Sequence, residues 1–139
     1  MKQDFFINSD GGSRGNPGEA AYGFVIYDQN KKLIFEKGER IGINTNNVAE
    51  YMGVISALRW IKENSKVENP NIDFFLDSEL VTSQLNGAYK VKNENLRNLF
   101  FTARNLIEEI KGNVKFTAIR RESNTEADKM VNLALDGLV

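Results

Sequence analysis

Neither cysteine nor histidine occurs among the 139 residues. Their joint absence removes the usual zinc ligands and every nucleophilic triad built on an imidazole. Strong catalysis must then rest on carboxylates, Lys, Tyr, Ser or hard metal ions. Lack of cysteine also agrees with a reducing compartment. No run approaches the roughly 18 apolar residues of a membrane span. The N-terminal MKQDFF has neither the basic nor the apolar segment of a signal peptide, so the expected location is the cytoplasm, with no membrane association. Charge of one sign is missing as well: 18 basic against 19 acidic residues leave a net charge of −1, which gives no global attraction to a polyanion. Binding to nucleic acid would need local basic patches or bound cations. Repeats and low-complexity linkers are also absent, and 41% hydrophobic content suits one domain over residues 1–139 with one core.

What is present begins with alternation. Residues 2–10, 20–28 and 33–40 read as three strands, the last two separated by a short polar turn, as in an antiparallel meander. After Thr45-Asn46-Asn47 the spacing becomes helical through Val48, Met52 and Ile55, ending near Asn64. Ile72–Leu76 is a compact apolar strand ending at Asp77. A short helix from Ser78 to Leu85 and a longer one from Asn93 to Lys111 follow, the latter striped by Leu96, Leu99, Phe100, Ala103, Ile107 and Ile110. Val114, Phe116 and Ala118 alternate as a fifth strand. The last helix, residues 124–138, is opened by Ser123 and Glu126 at capping-box spacing. Early hairpins and late crossovers imply an α/β fold: a mixed sheet with helices on its faces.

Four carboxylates stand out within this layout. Asp10 follows the first alternating run and precedes GGSRGNPG, whose glycines and proline read as a turn, so Asp10 is expected at a strand end. Asp77 ends another strand. Glu50 shares a helix row with Gly53, Val54 and Ala57, and Asp128 shares one with Val131, Asn132 and Leu135, so both lie beside apolar surface. Each acid alone has an ordinary reading: Asp10 as a turn cap, Glu50 in a capping box with Asn47, Asp128 as a polar residue of a first helical turn. Four carboxylates gathered at one place would repel one another, and divalent metal ions remove that conflict.

DGGSRGNPG, TNNVAEY, the FLDSELV run around Asp77 and ESNTEADKMVN around Asp128, in that order, resemble a type 1 ribonuclease H over essentially the whole chain. The resemblance implies an RNase H-like fold: a five-stranded mixed sheet, strands 1 to 3 antiparallel and strands 4 and 5 parallel to strand 1, flanked by helices. It implies endonucleolytic hydrolysis of the RNA strand of an RNA/DNA hybrid, leaving 5′-phosphate and 3′-hydroxyl ends. Asp10, Glu50, Asp77 and Asp128 would hold two Mg2+ ions, with Mn2+ as a substitute, and Asp10 would bridge them. Oxygen-only ligands suit magnesium.

Substrate contacts carry over residue by residue. Asn16, Asn46 and Asn47 match positions that touch the hybrid's minor groove, and Thr45 and Asn93 match two members of a DNA-phosphate pocket. The pocket's usual Arg is replaced by Ile43, with Arg40 the nearby alternative, and Glu79 stands where many relatives have Gln. Only NGAYKVKNEN occupies the place of a basic protrusion, leaving Lys90 and Lys92 as a small local patch. A flexible His of many members is absent, and Arg121 or Glu122 is the nearest replacement. The expected state is a monomer with no obligate protein partner. Competing readings are a hybrid-binding module without cleavage, and a related nuclease acting on double-stranded RNA or DNA.

Overall fold

The computed structural model describes residues 2–139. Strands β1 (Phe5–Gly15), β2 (Gly18–Asp28) and β3 (Leu33–Asn44) form an antiparallel meander, followed by helix α1 (Asn46–Asn64). Then come β4 (Asn71–Leu76), α2 (Glu79–Leu85), α3 (Glu94–Ile110), β5 (Asn113–Ala118), a 3-10 turn over Arg121–Ser123, and α4 (Thr125–Leu135). The sheet order is β3-β2-β1-β4-β5, with β4 and β5 parallel to β1. This is the α/β architecture expected from the sequence, with each expected element present.

Alternation along the central strands separates the two faces. Ile7, Phe24, Ile26, Ile72 and Phe74 point to one side and meet Val54, Ile55, Leu58 and Ile61 of α1 in one buried core. α3 packs on α1 and adds Leu96, Ala103 and Ile107. On the opposite face, α4 lies over β2 and β3, where Ala21 meets Val131 and Ala134. Small residues at that contact let helix and sheet come close. Phe35 of the outer strand is covered by Trp60, stacked at 4.9 Å between ring centroids. No helix among the described residues is long and apolar enough to cross a membrane.

Two local expectations are corrected. The glycine segment after Asp10 is not where the first strand stops. β1 runs on to Gly15, paired residue by residue with β2 from Asp10–Gly23 to Gly15–Gly18. Glycine weakens a strand only locally, and pairing along the long hairpin holds these residues in the ladder. What ends near Asp10 is the other ladder, since the last β1–β4 pair is Asn8–Phe75. Asp10 thus stands where β1 loses one neighbour and keeps the other. The last helix also starts differently: Ser123 closes the 3-10 turn, Asn124 takes the cap position, and no side-chain cap bond is made.

Candidate active site

The site assembles where β1 leaves β4, and close approach of two backbones makes it. A Cβ on Gly11 would lie 2.6 Å from the Ala49 carbonyl oxygen and closer still to the Glu50 nitrogen. One turn further along α1, a Cβ on Gly53 would overlap Ser9 Oγ and lie 3.2 Å from the Asp10 carbonyl. Glycine at both crossings therefore lets α1 lie directly on β1. As a result Glu50 reaches the strand, where its Oε1 accepts a hydrogen bond from the Gly11 N–H at 3.1 Å. The same N–H donates to Asp10 Oδ1 at 2.9 Å. Glu50 thus has no part in a capping box. The cap of α1 is Thr45, whose hydroxyl accepts from Val48 N–H.

Asp77 completes the group from β4. It follows the last strand residue and precedes Ser78, which caps α2 by accepting from Val81 N–H. Carboxylate oxygens of Asp10, Glu50 and Asp77 all lie within 4.8 Å of one another. Asp10 is 5% exposed and Glu50 4%. Burial that deep, with neighbouring charges of the same sign, disfavours ionisation. Desolvation chiefly, then the charges of Asp77 and Asp128, push Asp10 up to about 7, against the hydrogen bonds from Glu50 and the Gly11 N–H. Glu50 is raised well above the ordinary carboxylate range by burial first, then by the Asp10 charge and the hydrogen bond to Asp10. In the metal-free protein a proton relieves the crowding.

The donor set fits a hard divalent ion. Glu50 Oε2 and Asp77 Oδ2 are buried without a hydrogen-bond partner. None of the three acids takes part in an ion pair among the described residues. Orphaned carboxylate oxygens converging on one point are what Mg2+ or Mn2+ accepts as ligands. Asp128 stands half-buried in the first turn of α4, outside this compact trio, with Oδ2 accepting from Asn132 Nδ2 at 3.3 Å. Its charge still acts on Asp10.

A cleft of about 370 Å³ opens over the acids, lined also by Gly12, Ser13, Asn46, Asn47, Ser78 and Arg121. Asn46 accepts from the Ser13 N–H at 2.8 Å, and Asn16 accepts from the Asn46 N–H at 3.1 Å. Both amides thus use their oxygens to join the β1–β2 hairpin to α1, which leaves their NH2 groups free of those bonds. Ser13 was not marked by the sequence, because its contact to Asn46 spans 33 positions. Arg121 lines the cleft, whereas Glu122 faces Arg120 across 3.9 Å. Thr45 and Asn93 are helix N-caps for α1 and α3, and neither lines the acidic cleft. Ile43 is 64% exposed on β3, and Arg40 is paired with Glu19. Lys90 lines a separate groove with Tyr89, Arg97 and Phe101.

Comparison with known proteins decides the family. Residues 8–134 match the family model described as reverse transcriptase-like. The crystal structure of RNase H1 from the halophilic archaeon Halobacterium salinarum superposes with a TM-score of 0.88 at 36% identity, covering 96% of this chain and 98% of that one. The chain belongs to the type 1 ribonuclease H family. LC11-RNase H1, solved in complex with an RNA/DNA hybrid, gives a TM-score of 0.91 at 39% identity over 96% of this chain and 97% of that one. The bifunctional protein Rv2228c of Mycobacterium tuberculosis is 37% identical over 131 residues. This ribonuclease H chain covers 94% of itself in that match but spans only 35% of the curated relative's length.

Asn124, behind the site, was likewise not marked by the sequence. Asn124, fully buried, donates from Nδ2 to the Ser9 carbonyl and accepts at Oδ1 from Asn8 Nδ2, both at 3.0 Å. The sequence reading makes it the first residue of the last helix, whereas it takes the cap position without making a cap bond.

Proposed function

We propose that this chain hydrolyses the RNA strand of RNA/DNA hybrids with the help of two divalent metal ions, magnesium in the first instance and manganese as a substitute. The observation that carries the reading is the convergence of Asp10, Glu50 and Asp77, with two buried carboxylate oxygens left without partners. Asp10, Glu50 and Asp77 would hold one ion, and Asp10 with Asp128 the other. Bound divalent ions lower the pKa of an attacking water and neutralise charge on the scissile phosphate.

The remaining work falls to the chain itself. The Gly11 N–H holds the Asp10 and Glu50 carboxylates in one orientation, so the ligand set is formed before substrate arrives. Amide NH2 groups of Asn16, Asn46 and Asn47 supply donors suited to 2′-hydroxyls and base edges of a minor groove. Arg121, which lines the cleft, would bind a backbone phosphate, since its guanidinium cannot serve as a base at neutral pH. Thr45 and Asn93, each opening a helix, would place an N-terminal dipole toward a DNA phosphate. Glu50, beside the scissile ribose in this reading, would also touch the 2′-hydroxyl and so select RNA as the strand cut. Products would carry 5′-phosphate and 3′-hydroxyl ends.

Purified protein with magnesium is expected to cut the RNA strand of an end-labelled hybrid, to stop when the metal is chelated, and to leave DNA duplex intact. RNA duplex and single strands, assayed in parallel, measure how far the activity extends. Hybrid left uncut with both metals, or DNA duplex cut equally fast, would overturn the proposal. Binding of hybrid without cleavage would favour the module that recognises and does not cut.

A further inference from the structure

We propose that Asn124 is a positioning residue for the metal site: by bonding Asn8 and the Ser9 carbonyl, its buried amide sets where Asp128 stands relative to Asp10, and so how the ion nearer Asp128 is held. The inference rests on the two-ion reading above.

Three observations carry it. Asn124 occupies the N-cap position of α4, where an Asn side chain ordinarily satisfies a free helix N–H, yet no such bond is made. Instead both ends of the amide reach across 115 and 116 positions of sequence to β1, on the residues immediately before Asp10. Finally, Asp128 lies one helical turn beyond Asn124, with its N–H bonded to the Asn124 carbonyl at 3.1 Å. A rigid turn of helix thus joins the amide to the carboxylate.

Elsewhere α4 lies close on the sheet, since an added Cβ on Gly23 or Gly38 would overlap Ala127, Met130 or Val131. Ala21, Val131 and Ala134 meet in a small apolar patch, and apolar packing is non-directional. Those contacts set how near α4 stands to the sheet, whereas the two amide bonds are directional and tie its first turn, which carries Asp128, to β1. They act close to Asp10, where the ladder to β4 has ended and β1 has no strand on that side. Groups that orient the ligands of a metal typically change its affinity by about 10- to 100-fold when removed.

The test uses the full chain and variants Asn124→Ala and Asn8→Ala. Manganese binding without substrate is followed by calorimetry, and hybrid cleavage by kcat and KM across magnesium concentrations. Asn124→Ala should weaken one of the two binding events about tenfold or more, lower kcat at limiting magnesium, and leave KM for hybrid unchanged. Asn8→Ala, which removes one of the two bonds and keeps the Ser9 contact, should show a smaller shift in the same direction and covers the case in which Asn124→Ala fails to fold. Excess magnesium should restore most of the lost rate. Wild-type metal binding in a folded Asn124→Ala, with lowered thermal stability alone, would overturn the inference and leave the amide a structural bond. Failure of the parent protein to cut hybrid would instead strike the functional reading, and the metal-binding comparison would still decide the role of Asn124.

Discussion

Asp10→Asn should abolish hybrid cleavage while making the metal-free protein more stable. The loss in kcat is expected to reach about a thousandfold or more, because in the proposed two-ion reading Asp10 would be the ligand common to both ions and its loss would remove most of the charge stabilisation. The gain in stability follows from the raised pKa. Asp10 ionises near 3.8 when unfolded and near 7 when folded, so between those values the native state binds more protons than the unfolded chain. Stability of the metal-free protein therefore falls as pH rises from about 4 to 7, by up to on the order of 2–4 kcal/mol. The contribution is fully present below the unfolded pKa and lost above the folded one. Glu50, shifted in the same direction, carries the decline further. An Asn in place of Asp10 has no charge to desolvate, keeps an oxygen for the Gly11 N–H and offers Glu50 a donor. Melting curves with chelator, taken across this pH range, should fall for the parent and stay flatter for the variant. Magnesium should raise the parent's melting temperature more at neutral pH than at acidic pH. A variant that cuts hybrid at the parental rate would remove Asp10 from the site altogether.

Gly11→Ala should be among the most damaging single methyl additions in the described residues. Its Cβ meets backbone, Ala49 and Glu50, and no side-chain rotation can relieve the overlap. Either α1 lifts from β1 or the strand bends, and overpacking of this kind costs about 3 kcal/mol or more. For a domain of this size the melting temperature should drop by about 10 °C or more. Any folded fraction should also cleave poorly, since lifting α1 withdraws Glu50 from Asp10. Gly12→Ala is the matched control: its nearest atom would be Val131 Cγ1 at 3.8 Å, an ordinary contact, so stability should change by less than about 1 kcal/mol. Similar losses in both variants would mean that flexibility, and not close approach, explains the glycines.

Most of the architecture could be read from residue periodicity because the elements are locally consistent. Alternation in Tyr22, Phe24 and Ile26, and the stripe from Leu96 to Ile110, report a buried face whatever lies opposite. The three acids that converge were legible for a different reason: singly each has an ordinary reading, but their motifs stand in the order and spacing of a type 1 ribonuclease H. What failed to show was set by distant partners. Gly11, Gly12 and Gly15 read as a turn, yet pairing with β2 keeps them in a strand. Glu126 and Ser123 read as a capping box, but Asn124 answers to Asn8 and Ser9 at the other end of the chain. Ser13 likewise takes its meaning from Asn46.

The central place of β1 bears on the order in which the chain acquires its shape. Its partner β2 is adjacent in sequence, so a meander over residues 5–44 has low contact order and can zip early. The opposite edge waits for residues 71–76, and the Asn124 bonds wait for residues beyond 120. During synthesis from the N-terminus, β1 is therefore an unprotected edge, open to pairing with another nascent chain until β4 is made. The carboxylate of Asp10 then meets Glu50 early but Asp77 only once β4 is in place, which ties assembly of the trio to closure of that edge.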